Sequence, residues 1–96
     1  MRLKFRAAAS ADMRRVSAET RARWGDAQAA IYSANLRDDI KSLVMFSLRF
    51  PEFEGHHPGL RRMNSGRHAV FYLVSSDLIE VVRVLHTAMD FDEWLG

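Results

Sequence analysis

The chain contains no cysteine, which excludes disulfide stapling and thiolate metal ligation and is compatible with a reducing cytosol. No apolar run approaches the ~20 residues that a membrane span needs, and the N-terminus carries no continuous apolar segment of the signal-peptide kind. A soluble, cytoplasmic protein is therefore expected. There is no glycine-rich phosphate loop, no G-x-S-x-G motif around any serine, no internal repeat and no low-complexity tract. Lysine is nearly absent: twelve of the fourteen basic residues are arginine, a bias toward forked pairing with carboxylates or phosphates.

What is present is enough for one domain. Ninety-six residues, 48% of them hydrophobic and 27% charged, can bury about 60 to 65% of the unfolded surface, so the core is real but thin. The net charge of +2 is unevenly spread, because residues 1–23 hold seven basic side chains against Asp12 and Glu19. That basic N-terminal third is either a docking surface for something acidic or a solvated helix face.

Residues Leu60 to His86 read as three strand-like runs separated by Asn64-Ser65-Gly66 and Ser75-Ser76-Asp77, an antiparallel meander rich in Val, Ile, Phe and Tyr. Neither long run alternates cleanly between apolar and polar. Ala69, Phe71 and Leu73 fall on one face and Val70, Tyr72 and Val74 on the other, while strict alternation sets Val81 and Leu85 opposite Val82 and Val84. A sheet apolar on both faces requires a cover on one and a second contact or a partner on the other.

The first cover is legible upstream. Arg2 to Arg6 alternates with period two and predicts a short strand with Leu3 and Phe5 inward and basic outer positions suited to an edge. From about Ala8, the spacing of Ala9, Met13, Val16, Thr20 and Trp24 predicts a helix with Ser10 and Asp12 near its start, Gly25 as its terminator and Trp24 as a core lock at the apex. Asp26 is placed to cap a second helix with the stripe Tyr32, Leu36, Ile40, Leu43 and Val44, ended by Pro51. The short link forces an antiparallel helical hairpin. Glu52 to Gly59 reads as a loop, and Met89 to Leu95 as a short acidic, aromatic helix or tail. The fold class expected for residues 1–96 is thus a single α+β domain in the order β-α-α-β-β-β, its helical hairpin packed on a twisted antiparallel sheet.

Candidate chemistry is sparse. His56-His57 has no further ligands at a metal spacing, so no metal or cofactor is expected. His68, Tyr72, Arg83 and His86 could converge for acid–base work, but each has a simpler role: the Tyr and His packed with a satisfied polar tip, and Arg83, set among valines, paired with a carboxylate. Trp94, near the C-terminal end beside Asp92 and Glu93, has few ways to be buried and favours contact with a partner.

Trp24-Gly25-Asp26-Ala27-Gln28-Ala29-Ala30-Ile31-Tyr32, Gly66-Arg67-His68-Ala69-Val70-Phe71-Tyr72 and Val82-Arg83-Val84-Leu85-His86 resemble, in that order, segments of the ParE branch of the RelE/ParE toxins. The likeness spans nearly the whole chain. It implies a type II toxin neutralised by a ParD-like antitoxin, a ribbon-helix-helix dimer whose C-terminal segment wraps the toxin in a hetero-oligomer. It implies growth arrest through DNA gyrase inhibited by protein–protein binding, with no catalytic residue, no sequence-specific nucleic-acid binding of its own and no membrane contact. The resemblance also leaves two alternatives: a RelE-like ribosome-dependent mRNA endoribonuclease, or an inactive toxin-like binding module. RelE-branch members tend to carry basic residues and a C-terminal Tyr or His for RNA cleavage. This chain has neither Lys nor Arg after Arg83 and ends in Asp90, Asp92, Glu93 and Trp94, which favours gyrase. On this reading Met89, Asp90, Phe91 and Trp94 shape the target-binding surface, and Arg61, Met63, Arg67 and Arg83 contact the antitoxin.

Overall fold

Residues 1–95 are described by a computed structural model. The elements are β1 (Arg2–Phe5), α1 (Ala7–Trp24), α2 (Asp26–Phe46), β2 (Arg61–Ser65), β3 (His68–Val74), β4 (Leu78–His86) and α3 (Phe91–Leu95). One four-stranded sheet has the order β1-β4-β3-β2. The β2–β3–β4 meander is antiparallel as expected, whereas β1 pairs in parallel with β4, so the sheet is mixed. Parallel neighbours need a long crossover, and here the two helices and the rest of the chain supply it. β1 takes the edge that its basic outer positions suit, with Arg6 donating to Glu80 at 3.0 Å.

The helical hairpin packs on one face of the sheet. Met13 and Val16 from α1 and Leu36, Ile40 and Leu43 from α2 meet Val70, Tyr72, Ile79, Val81 and Val84 in the main cluster. The β3 faces divide as the sequence requires: Ala69, Phe71 and Leu73 lie on the other side, against Leu60, Leu85 and Phe53. β4 departs from strict alternation. Phe71 pairs with Arg83 but Tyr72 with Val81, so Val82 is an extra residue in a β-bulge. The bulge puts Val81 and Val84 on the same face and corrects the alternation expected for this strand.

The helix ends also differ from expectation. α1 begins at Ala7 with Arg6 in extended conformation and no side-chain cap, which leaves Ser10 and Asp12 inside the helix. Gly25, at φ 87°, closes α1 and opens α2 as a single-residue link, and Asp26 is the first helical residue of α2, paired with Arg21 at 3.3 Å. α2 stops at Phe46, before the turns that lead to Pro51. Trp24 is no core lock. It is 57% exposed and lies on the wall of an open cavity shared with Arg67 and His86, outside both apolar clusters. Among the described residues, no helix is long and apolar enough to cross a membrane.

Candidate functional site

Two regions at the His86 end of the sheet gather the chemistry-bearing side chains. In the first, β2 and β3 are joined by the two-residue turn Gly66-Arg67, with Gly66 at φ 57°. A Cβ on Gly66 would lie 2.7 Å from the Tyr32 hydroxyl oxygen, so glycine is needed there for space as well as conformation. Tyr32 reaches the turn from α2. Its hydroxyl accepts the Arg67 backbone N–H at 2.9 Å and donates to His68 Nδ1 at 2.6 Å. The His68 ring stands edge-on to Tyr32 and to His86, with centroids 5.5 and 5.3 Å away. Burial pushes the His68 pKa down from 6.5 to about 4, helped by the neighbouring His86 and Arg15 charges, so the ring is neutral and Nδ1 can accept the hydrogen bond from the Tyr32 hydroxyl. A cavity of about 640 Å³ opens beside this group, lined among others by Arg23, Trp24, Arg67 and His86.

The second region begins where β1 runs out. The Arg6 N–H still reaches the Val81 carbonyl, and α1 then lies along the edge of β4 in place of a strand. Asp12, only 1% exposed, supplies the acceptor that a strand would have given: its Oδ2 takes the Val84 N–H at 2.9 Å. The same carboxylate receives Arg83 in a fork, Nε to Oδ2 at 2.7 Å and Nη2 to Oδ1 at 2.9 Å, and Arg15 Nη2 at 3.1 Å on Oδ1. The hydrogen bond to Asp12 holds the Arg83 guanidinium pKa above its ordinary value. The carboxylate partner required by the valine-rich setting of Arg83 is therefore Asp12, an assignment the sequence could not make because the two are far apart in the chain.

α3 covers the second face beyond this hub. Phe91 packs edge-on against Phe53 and Phe71, with centroids 5.9 and 5.1 Å away, and Met89 and Leu95 join the same cluster. Asp90 Oδ1 accepts the Asp92 N–H at 3.1 Å and starts the helix. Trp94 remains 42% exposed. His56 stacks on Phe53 and meets Asp92 at 2.9 Å, so it tethers the 52–59 loop to α3.

The residues assigned from sequence distribute unevenly over these regions. Met89, Asp90, Phe91 and Trp94 form one continuous surface element, with Met89 and Phe91 inward and Asp90 and Trp94 outward. The four suggested antitoxin contacts do not converge. Met63 is 2% exposed beneath the hairpin, because its β2 position faces the main cluster, and it offers nothing to a partner. Arg83 is turned inward onto Asp12. Arg61, whose Nη1 donates to the Phe50 carbonyl at 2.6 Å, and Arg67 occupy opposite ends of β2. The four groups weighed for acid–base work are also dispersed: His68 and His86 adjoin, but the Tyr72 hydroxyl donates to the Ser47 carbonyl at 2.9 Å. An exposed apolar patch at the end of α2, formed by Met45 (78% exposed), Phe46 and Leu48, has no signal in the sequence, because the expected helix continues through it.

The molecule is thus a small α+β domain, a helical hairpin laid over one face of a mixed sheet and followed by a short acidic helix. The model of the ParE toxin family of type II toxin–antitoxin systems matches residues 3–91. The chain belongs to that family. It is 35% identical over 88 residues to Toxin ParE1 of Caulobacter vibrioides, covering 92% of this chain and 91% of that protein. It is 37% identical over 71 residues to Toxin ParE1 of Mycobacterium tuberculosis, covering 73% and 72%. Among solved structures, a chain of the chromosomal ParDE system of P. aeruginosa superposes with a TM-score of 0.77 at 18% identity, covering 90% of this chain and 95% of that one. A chain of the E. coli DinJ–YafQ complex superposes at 0.63 and 13% identity, covering 100% of both, which speaks to the fold alone.

Proposed function

We propose that this chain arrests growth by binding DNA gyrase in the cytoplasm, as a protein ligand without chemistry of its own, and that a ParD-like antitoxin neutralises it. The observation that carries this reading is α3, an acidic helix that presents Trp94 outward while Phe91 and Leu95 anchor it. A partially exposed indole on an anchored helix is the kind of contact that protein interfaces use, and the exposed carboxylates Asp90, Asp92 and Glu93 on the same segment disfavour a phosphate backbone. Met89, Asp90, Phe91 and Trp94 shape the gyrase-binding surface on this reading, Asp90 and Trp94 facing out and Met89 and Phe91 holding the segment to the sheet.

The antitoxin segment finds complementary chemistry elsewhere. Exposed Trp24 and Ile31 at the hairpin apex, Met45, Phe46 and Leu48 at the far end of α2, and the guanidinium groups of Arg61 and Arg67 suit an acidic, amphipathic chain that orders as it binds. Its wrapping would also reinforce a thin core.

One observation favours a second reading, RNA cleavage on the ribosome: His68, His86 and Tyr32 share a cavity wall with Arg23 and Arg67. Purified protein added to gyrase and relaxed plasmid, and in parallel to translating ribosomes, separates the two. Blocked supercoiling with trapped cleaved DNA and intact messenger supports the gyrase reading. Cut messenger with unaffected gyrase reverses it.

A further inference from the structure

We propose that Asp12 is the positioning residue for the C-terminal helix: its buried carboxylate fixes Arg15 and Arg83, and the two guanidinium groups fix Trp94. This rests on the reading of α3 as the gyrase-contacting element. A five-residue helix has no stability of its own, and its apolar anchors, Phe91 and Leu95, hold only the side that faces the sheet. The outer side is held by charge. After its fork on Asp12, Arg83 has Nη1 free, and this group donates to the Trp94 carbonyl at 2.9 Å, at the end of α3 where a cation suits the helix dipole. The Arg15 and Arg83 guanidinium carbons lie 5.8 and 5.7 Å from the Trp94 ring centroid, within cation–π range.

The arrangement depends on a carboxylate at position 12. Both of its oxygens accept two hydrogen bonds each, from Arg15 and Arg83 on Oδ1 and from Arg83 and the Val84 backbone on Oδ2. An amide would turn an N–H₂ toward a guanidinium or toward the Val84 N–H, and one arginine would be released. Glu19, 3.9 Å from Arg15, is 64% exposed and cannot replace a buried acceptor. α1 therefore sets the orientation of the indole through Arg15 directly and through Asp12 and Arg83 of β4.

The test uses the full chain carrying Trp24→Phe, which leaves Trp94 as the sole indole, with Asp12→Asn added. Circular dichroism and thermal melting establish that the variant folds; Arg15→Gln and Arg83→Lys replace it if it does not, since lysine retains charge but cannot fork. Acrylamide quenching of Trp94 is expected to rise about twofold from its 42% exposed starting point, and Asp12→Glu to recover part of the difference. Unchanged quenching in folded variants overturns the proposal. In gyrase assays, inhibition should fall in step with Trp94 release. Released Trp94 with full inhibition supports the positioning of Trp94 by Asp12 and overturns the reading of α3 as the gyrase-contacting element. If the unaltered chain does not inhibit gyrase, the functional reading fails, and quenching alone then decides whether Asp12 orients Trp94.

Discussion

The two faces of the sheet are built to different standards. The hairpin face is closed by two long helices, with Leu36, Ile40 and Leu43 at 1% exposure or less against fully buried Val70 and Tyr72. The other face buries Leu60, Ala69, Phe71 and Leu85 under the 52–59 loop, the turn at Met89 and a five-residue helix, and the covering Phe53, Met89, Phe91 and Leu95 are all only partly buried. Close-packed apolar contact on the first face supplies the stability, which lets the second carry side chains that remain available to another protein.

The comparison can be broken most directly from the strong side. Leu36→Ala should cost about 3 kcal/mol of unfolding free energy, measured by urea titration, because the site cannot collapse around the lost methyl groups. Acid should act on the same face. His68 is neutral in the fold with a pKa of about 4 against 6.5 unfolded, so its contribution is complete above pH 6.5 and is lost as pH falls toward 4. The loss amounts to about 3 kcal/mol at most, and His68→Gln should flatten this part of the pH–stability profile. Gly66→Ala should destabilise by about 2 kcal/mol, since alanine must hold φ 57° and also displace the Tyr32 hydroxyl.

On the weak side the ranking of stability and function inverts. Phe91→Ala should cost only about 1 to 2 kcal/mol in the same titration yet remove most gyrase inhibition, because α3 loses its aromatic anchor. Smallest of all is Trp24→Phe, expected within about 0.5 kcal/mol of the parent, since the residue lies outside both clusters.

The architecture was legible because periodicity encodes burial. Leu36, Ile40 and Leu43 at helical spacing, and Val70 and Tyr72 opposite Ala69 and Phe71, identify their own faces. What failed needed non-local information. Trp24 fits the α1 stripe, but only the tertiary arrangement sets it on the wall of an open cavity and not in the core. The bulge at Val82 shifts register without a glycine to signal it. Asp12 reads as a helix-start residue because its partners, Arg83 and Val84, are about seventy positions away. Met63 has the composition of an adaptable contact, and its burial follows from strand register, not residue type. The α3 residues were identifiable as a group, since an acidic aromatic cluster has no helix stripe to join.

Amide hydrogen exchange of the chain alone and with gyrase tests the central claim most directly. The expected result is faster exchange over residues 89–95 than in β3 in the free protein, added protection at 89–95 with gyrase, and no change in β3 or in the buried turns of α2. Protection confined to the helical hairpin, or none anywhere at saturating gyrase, would contradict it.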